Sequence, residues 1–146
     1  MKRMFLISLI GTLLGFLNLA LAQAGDTLAI DSDASLTDRV ALTIKGTFSC
    51  PPDSFTTLNI TVRQLSGGRI AIGSYYNDSQ ISLICDGTEQ QLLLDIYPDP
   101  NFQVWHNGKA YISADLGVWT CDGNGCTPSD TAVTKEIRVR PANAGK

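Results

Sequence analysis

The sequence predicts an all-β fold, an antiparallel β-sandwich of about seven strands. Three observations carry that expectation. Apolar residues alternate with polar ones at period two in several short runs, the pattern of a half-buried strand. Gly, Pro, Asn and Asp clusters separate the runs and read as turns. No stretch carries a 3.6-residue apolar stripe long enough for a helix, and regularly spaced short strands of this kind build sandwiches or barrels.

The first run is Val40 to Cys50, with Val40, Leu42, Ile44, Phe48 and Cys50 on one face and Ala41, Thr43, Lys45, Thr47 and Ser49 on the other. Pro51-Pro52-Asp53 ends it, because proline cannot donate to a ladder. Leu58, Ile60 and Val62 form the inward row of the second run, and Ser66-Gly67-Gly68 turns the chain. The third, Arg69 to Tyr76, is expected to point Ile70 and Ile72 inward before a turn at Asn77-Asp78-Ser79. Ile81, Leu83 and Cys85 make the next inward row, and Leu92, Leu94 and Ile96 the one after it. Asn107-Gly108 is a hairpin signal. Ala110, Ile112, Ala114 and Leu116 then alternate, and Val133, Ile137 and Val139 line the last strand. Strands polar on one side imply sheets with one wet face.

The chain has 146 residues, 44% of them apolar and 17% charged, a size that suits one domain. It opens Met1-Lys2-Arg3, runs apolar from Met4 to Leu21 and closes on Ala20-Leu21-Ala22-Gln23-Ala24. A positive start, an apolar middle and small residues at the end predict a signal peptide over 1–24, cut after Ala24 or after Ala22. The rival is an uncleaved anchor, since a spanning helix needs about 20 apolar residues; the small residues and the polar Gly25-Asp26 flank favour cleavage. Residues 25–36 read as a leader or edge strand, 37–141 as the sandwich and 142–146 as a tail. The charge of the whole chain is -3. Losing Lys2 and Arg3, and no acid, makes the exported part more acidic still. Such a surface repels phosphate backbones and anionic lipid. Neither nucleic acid nor a stable membrane span is expected after signal removal, and the location is secreted or otherwise extracytoplasmic.

Four cysteines, Cys50, Cys85, Cys121 and Cys126, all lie beyond the signal. An even count in a small exported chain predicts two disulfides. Three pairings are open; Cys50–Cys85 with Cys121–Cys126 is favoured, the first tying two strand ends and the second closing a small loop. A four-thiolate zinc site is the rival, but the short Cys-x2-Cys knuckles are missing.

Candidate chemistry is sparse. His106 is the only histidine. A hydrolase would need it beside a nucleophile and an acid, for which Ser113, Asp95 and Asp99 are available; no Gly-x-Ser-x-Gly elbow exists. Cys121 to Cys126 lacks the two-residue spacing of thiol exchangers. Asp122, Asn124 and Asp130, and likewise Asp31 and Asp33, are hard oxygen donors without the spacing of a calcium loop; no metal or cofactor is expected. Tyr75, Tyr76, Tyr97, Trp105, Tyr111 and Trp119 are the tyrosines and tryptophans. Tyr75 and Tyr76 are adjacent, so one faces outward, and an outward Tyr or Trp can stack on a sugar or anchor a protein. Asn59-Ile60-Thr61 and Asn77-Asp78-Ser79 match the glycan-acceptor pattern.

Gly46-Thr47-Phe48-Ser49-Cys50-Pro51 at a strand end, Cys85-Asp86-Gly87-Thr88 after a later one, and Cys121 with Cys126 near the end give the chain its likeness to a known class. It resembles the small exported bacterial immunoglobulin-like β-sandwich domains with two disulfides, over about residues 37 to 140. Antibody domains set a Trp between their cysteines; here both Trp residues follow Cys85. The resemblance implies an architecture and transfers no catalytic residue. The function expected is a non-enzymatic module that binds an extracellular or envelope protein, or a glycan, through Tyr75, Tyr76, Trp105 and His106. A structural envelope component without a discrete ligand is the second expectation, and a hydrolase using His106 the third.

Overall fold

Eight strands form from these runs in a computed structural model, which describes residues 25–76 and 83–142. The signal segment, the Asn77-Asp78-Ser79 turn, Ile81 and the tail beyond Ala142 lie outside the described residues. The strands are β1 (Thr27–Ile30), β2 (Asp33–Thr37), β3 (Ala41–Ser49), β4 (Phe55–Ser66), β5 (Arg69–Tyr76), β6 (Gln90–Ile96), β7 (Gly108–Asp122) and β8 (Gly125–Pro141).

Strand β3 pairs β1 and β6, and β4 pairs β5 and β7, with β8 beyond β7; all of these pairs are antiparallel. The halves join through β2, which is antiparallel to β3 and parallel to β8. Their inner faces share one core, including Leu42, Ile44, Leu58, Ile60, Ile112, Leu116, Ile137 and Val139. The arrangement is a small, mostly antiparallel all-β domain with sandwich-like contacts between distant parts of the chain.

The period-two readings of β3, β4, β6, β7 and β8 place their buried side chains on the expected parity. Several details differ. Residues 25–36, read as a leader or edge strand, hold β1, at the end of the strand order beside β3, and β2, and the two bury Leu28, Ile30, Ala34 and Leu36 in the core. Val40 is half-exposed because it follows the β2–β3 turn, where Asp38 and Arg39 both have positive φ and Val40 N–H donates to Thr37 C=O at 3.0 Å. In β5 the parity is inverted. Ala71 and Gly73 face the core, and Ile70 and Ile72 face out. Trp105 takes the inward space: a Cβ on Gly73 would lie 2.7 Å from the indole and 2.3 Å from Tyr97 C=O, so only the smallest residue fits. Leu83 and Cys85 pack against the core as expected, but residues 83–85 form no ladder.

Asn107-Gly108 closes no hairpin; it ends the connection from β6 into β7. That connection runs along the edge of β5, where Asp99 N–H donates to Ile72 C=O at 2.7 Å and Gln103 N–H to Ile70 C=O at 3.1 Å. The hairpin of this region lies later, where β7 and β8 form a long ribbon turned by Gly123-Asn124.

Candidate functional site

The outward face of β5, β4, β7 and β8 carries most of the exposed aromatic side chains in this half. Its rows follow from the ladder. Ile72, Arg63, Tyr111 and Glu136 stand across the four strands, then Ser74, Thr61, Ser113 and Thr134, then Tyr76, Asn59, Asp115 and Ala132. Beyond them lie Thr57, Gly117 and Asp130, and finally Phe55, Trp119 and Pro128. At the other end Leu65 pairs with Ile70. Phe55, Leu65, Tyr76 and Tyr111 are each at least 60% exposed. Trp119 is 36% exposed and lies over Gly117, whose missing side chain leaves room: a Cβ there would stand 3.1 Å from the indole. A shallow groove of about 330 Å³ runs over Thr61, Arg63, Tyr111, Ser113 and Thr134.

Of the expected binding residues only Tyr76 sits openly on this face. Tyr75 points inward and packs against the core. Trp105 is fully buried, with its indole N–H donating to Ile96 C=O at 3.1 Å; it is a core residue, not a ligand-stacking one. The physical reason is Gly73, whose missing side chain leaves the indole room against β5. His106 is half-buried, and its Nδ1 accepts from Arg39 Nη2 at 3.1 Å. The structure therefore does not gather Tyr75, Tyr76, Trp105 and His106 into one patch.

Gln64 holds the backbone at His106. It is 2% exposed, accepts from His106 N–H at 2.8 Å and donates to His106 C=O at 2.6 Å. The signal for it was a lone amide at an inward position after Leu58, Ile60 and Val62. Phe55 and Leu65 also escaped the sequence reading; both fall on the outward parity of β4.

The residues named for hydrolysis have other partners. Ser113 Oγ lies 3.4 Å from Thr134 Oγ1, Asp95 accepts from Thr43 at 2.6 Å on β3, and Asp99 accepts from Asn101 N–H at 2.9 Å. Asp122 accepts from Asn124 N–H at 2.7 Å in the ribbon turn, and Asp33 pairs with Arg140 at 3.0 Å. Among the described residues no three His, Cys, Asp or Glu side chains are grouped to hold a metal.

Cysteines pair Cys50–Cys85 and Cys121–Cys126, with Cα separations of 5.0 and 3.9 Å. Two disulfides fit an oxidising, non-cytoplasmic environment. The first is flanked by two backbone bonds, Gly87 N–H to Cys50 C=O and Asp53 N–H to Cys85 C=O. Beside it, hydrogen bonds from Thr88 hold the Asp86 carboxyl below the ordinary aspartate range, with Gln90 adding to the effect. The folded form keeps that preference above the ordinary range and loses it as pH falls through the lowered value. Lys109 is shifted up by its hydrogen bond to Glu136, 2.9 Å away at the nearer oxygen. Among the described residues no helix is long and apolar enough to cross a membrane. Comparison of the chain with protein-family models, with curated proteins and with solved structures finds no match.

Proposed function

We propose that this chain is a non-enzymatic, exported β-sandwich module of immunoglobulin-like topology that binds a protein or glycan partner outside the cytoplasm. The topology is supported by the parallel β2–β8 seam and by the separation of β1, β3 and β6 from β5, β4, β7 and β8. One observation carries the binding reading: Tyr76, Tyr111, Phe55 and Trp119 stand on outward positions of a single sheet, the first three at least 60% exposed. Aromatic side chains of this kind give contact area at low entropic cost and dominate binding hot spots. Trp105, being core, has no part in the site, and Tyr76, Tyr111 and Trp119 replace it.

The test is a binding screen of the oxidised protein against glycans and extracytoplasmic proteins, followed by Tyr76→Ala, Tyr111→Ala and Trp119→Ala. At least one of the three is expected to weaken the contact by about 2 kcal/mol. Full affinity in all three variants removes this face from the proposal.

A further inference from the structure

The two disulfides stand in opposite environments. Cys50 is 1% exposed, and Cys85 is half-buried against the core. Cys121 and Cys126 are both exposed, within a stretch from Trp119 to Asp130 that is exposed throughout. Thiol–disulfide exchange requires a thiolate to reach one sulfur while the other departs as a thiolate. At the first bridge the core covers Cys50, and attack on Cys85 would expel a charged thiolate at Cys50, where burial disfavours it. At the second bridge either sulfur can be reached and either can depart into water. The fold also tolerates the opening of that bridge. Cys121 lies directly opposite Cys126, one rung inside the Asp122–Gly125 pair at the ribbon turn. The ladder continues from there to Gly108–Val139, and Ile112, Ala114, Leu116 and Val118 anchor β7 in the core. The opened ribbon stays held from its base, with the two cysteines still opposed and able to close again. The local charge is one-sided: Asp122 adjoins Cys121, and residues 110–134 contain no Lys or Arg.

We propose that Cys121–Cys126 is a reversible thiol-exchange site whose reactant is a small neutral or cationic dithiol, and that Cys50–Cys85 is the permanent bridge. One thiolate of the dithiol attacks a sulfur of the exposed pair. The S–S bond breaks, a mixed disulfide forms, and the departing cysteine thiolate takes a proton from water. The second thiolate of the dithiol then attacks the dithiol's own sulfur in the mixed disulfide, and the other cysteine departs and is protonated in turn. The protein pair is reduced by two electrons to two thiols. The dithiol is oxidised to a cyclic disulfide, and its two protons pass through water to the cysteines. Oxidation of the opposed thiols by a disulfide of the same class runs the steps backwards. An anionic dithiol is disfavoured because its charge meets that of Asp122.

The test treats the native oxidised protein with about 1 mM dithiothreitol, quenches samples in acid, alkylates them in denaturant and reads each cysteine by peptide mass spectrometry. Cys121 and Cys126 are expected to label about tenfold faster than Cys50 and Cys85, or more, because only they are accessible. The near-UV circular dichroism of buried Trp105 should persist while they do. Equal rates for the two pairs overturn the proposal. So does a Cys121–Cys126 bridge that opens only when the chain is unfolded, or one whose opening abolishes the Trp105 signal. Dithiobutylamine, a cationic dithiol, and dihydrolipoate, an anionic one, then test the charge. Their rate ratio is expected to fall by about threefold in Asp122→Asn, and similarly between about 0.05 and 0.5 M salt. The variant keeps an oxygen to accept from Asn124 N–H, so the turn itself is not the variable. A ratio that neither change moves overturns the choice of dithiol.

Discussion

Gln64 is a polar side chain at an apolar position, and its two bonds to His106 stand in for a rung of ladder. Replacing it with Leu keeps the volume and leaves an N–H and a C=O without partners in a dry site. Each such orphan costs about 1–3 kcal/mol. Gln64→Leu is therefore expected to lower unfolding stability by about 2 kcal/mol or more, read from a denaturant midpoint. Gly73 makes a second residue-scale case. Any Cβ there would lie 2.3 Å from Tyr97 C=O, a backbone atom that cannot swing away. Gly73→Ala should cost about 1–3 kcal/mol, the range for overpacking, and urea titration with near-UV circular dichroism of Trp105 should register it. Alternation in the sequence assigns a side chain to a face but says nothing about how much room lies behind it. This is why Ile70 and Ile72 read as inward: the residue that fills that space, Trp105, arrives from a connection about thirty positions later, and no local pattern announces it.

The turn between β2 and β3 places Arg39 at φ 61°, a conformation that glycine adopts without the Cβ clash. Arg39→Gly is expected to stabilise the protein by about 0.5–1 kcal/mol, the lost exposed bond to His106 offsetting little; a rise in thermal midpoint would show it, and a fall would show that the His106 bond matters more than the turn strain. The strands with one wet face were legible because water and core impose opposite chemistries on alternate residues. The outer ends of β7 and β8 were not. From Trp119 to Asp130 both sides of the ribbon are largely exposed, so nothing distinguishes alternate positions. Only the Cys121 and Cys126 spacing marked that stretch, and there a small closed loop was legible where the strands around it were not. β1 and β2 were hidden for a related reason, since runs of four and five residues are too short for alternation to stand out. On the candidate face, Tyr76 and the availability of Tyr111 and Trp119 could be read directly, whereas their joint orientation needed the β4–β7 register.

The two disulfides act on different lengths of chain. Cys50 and Cys85 are 35 positions apart and Cys121 and Cys126 only 5. On loop-closure entropy the first should contribute about 4 kcal/mol and the second about 2. Replacing Cys50 and Cys85 together by Ala or Ser is expected to lower stability clearly more than replacing the other pair, in parallel denaturant titrations. Equal losses would mean that restriction of the unfolded chain is not what the bridges supply.

The seam between β2 and β8 ties Asp33–Leu36 to Arg138–Pro141, so the second strand and the eighth are neighbours. That pairing spans about a hundred residues, and contacts of long sequence separation slow folding because the chain must search before they reward it. A chain emerging in order from the ribosome has no partner for this edge of β2 until β8 is out, so the join between the two halves is among the last contacts that can form.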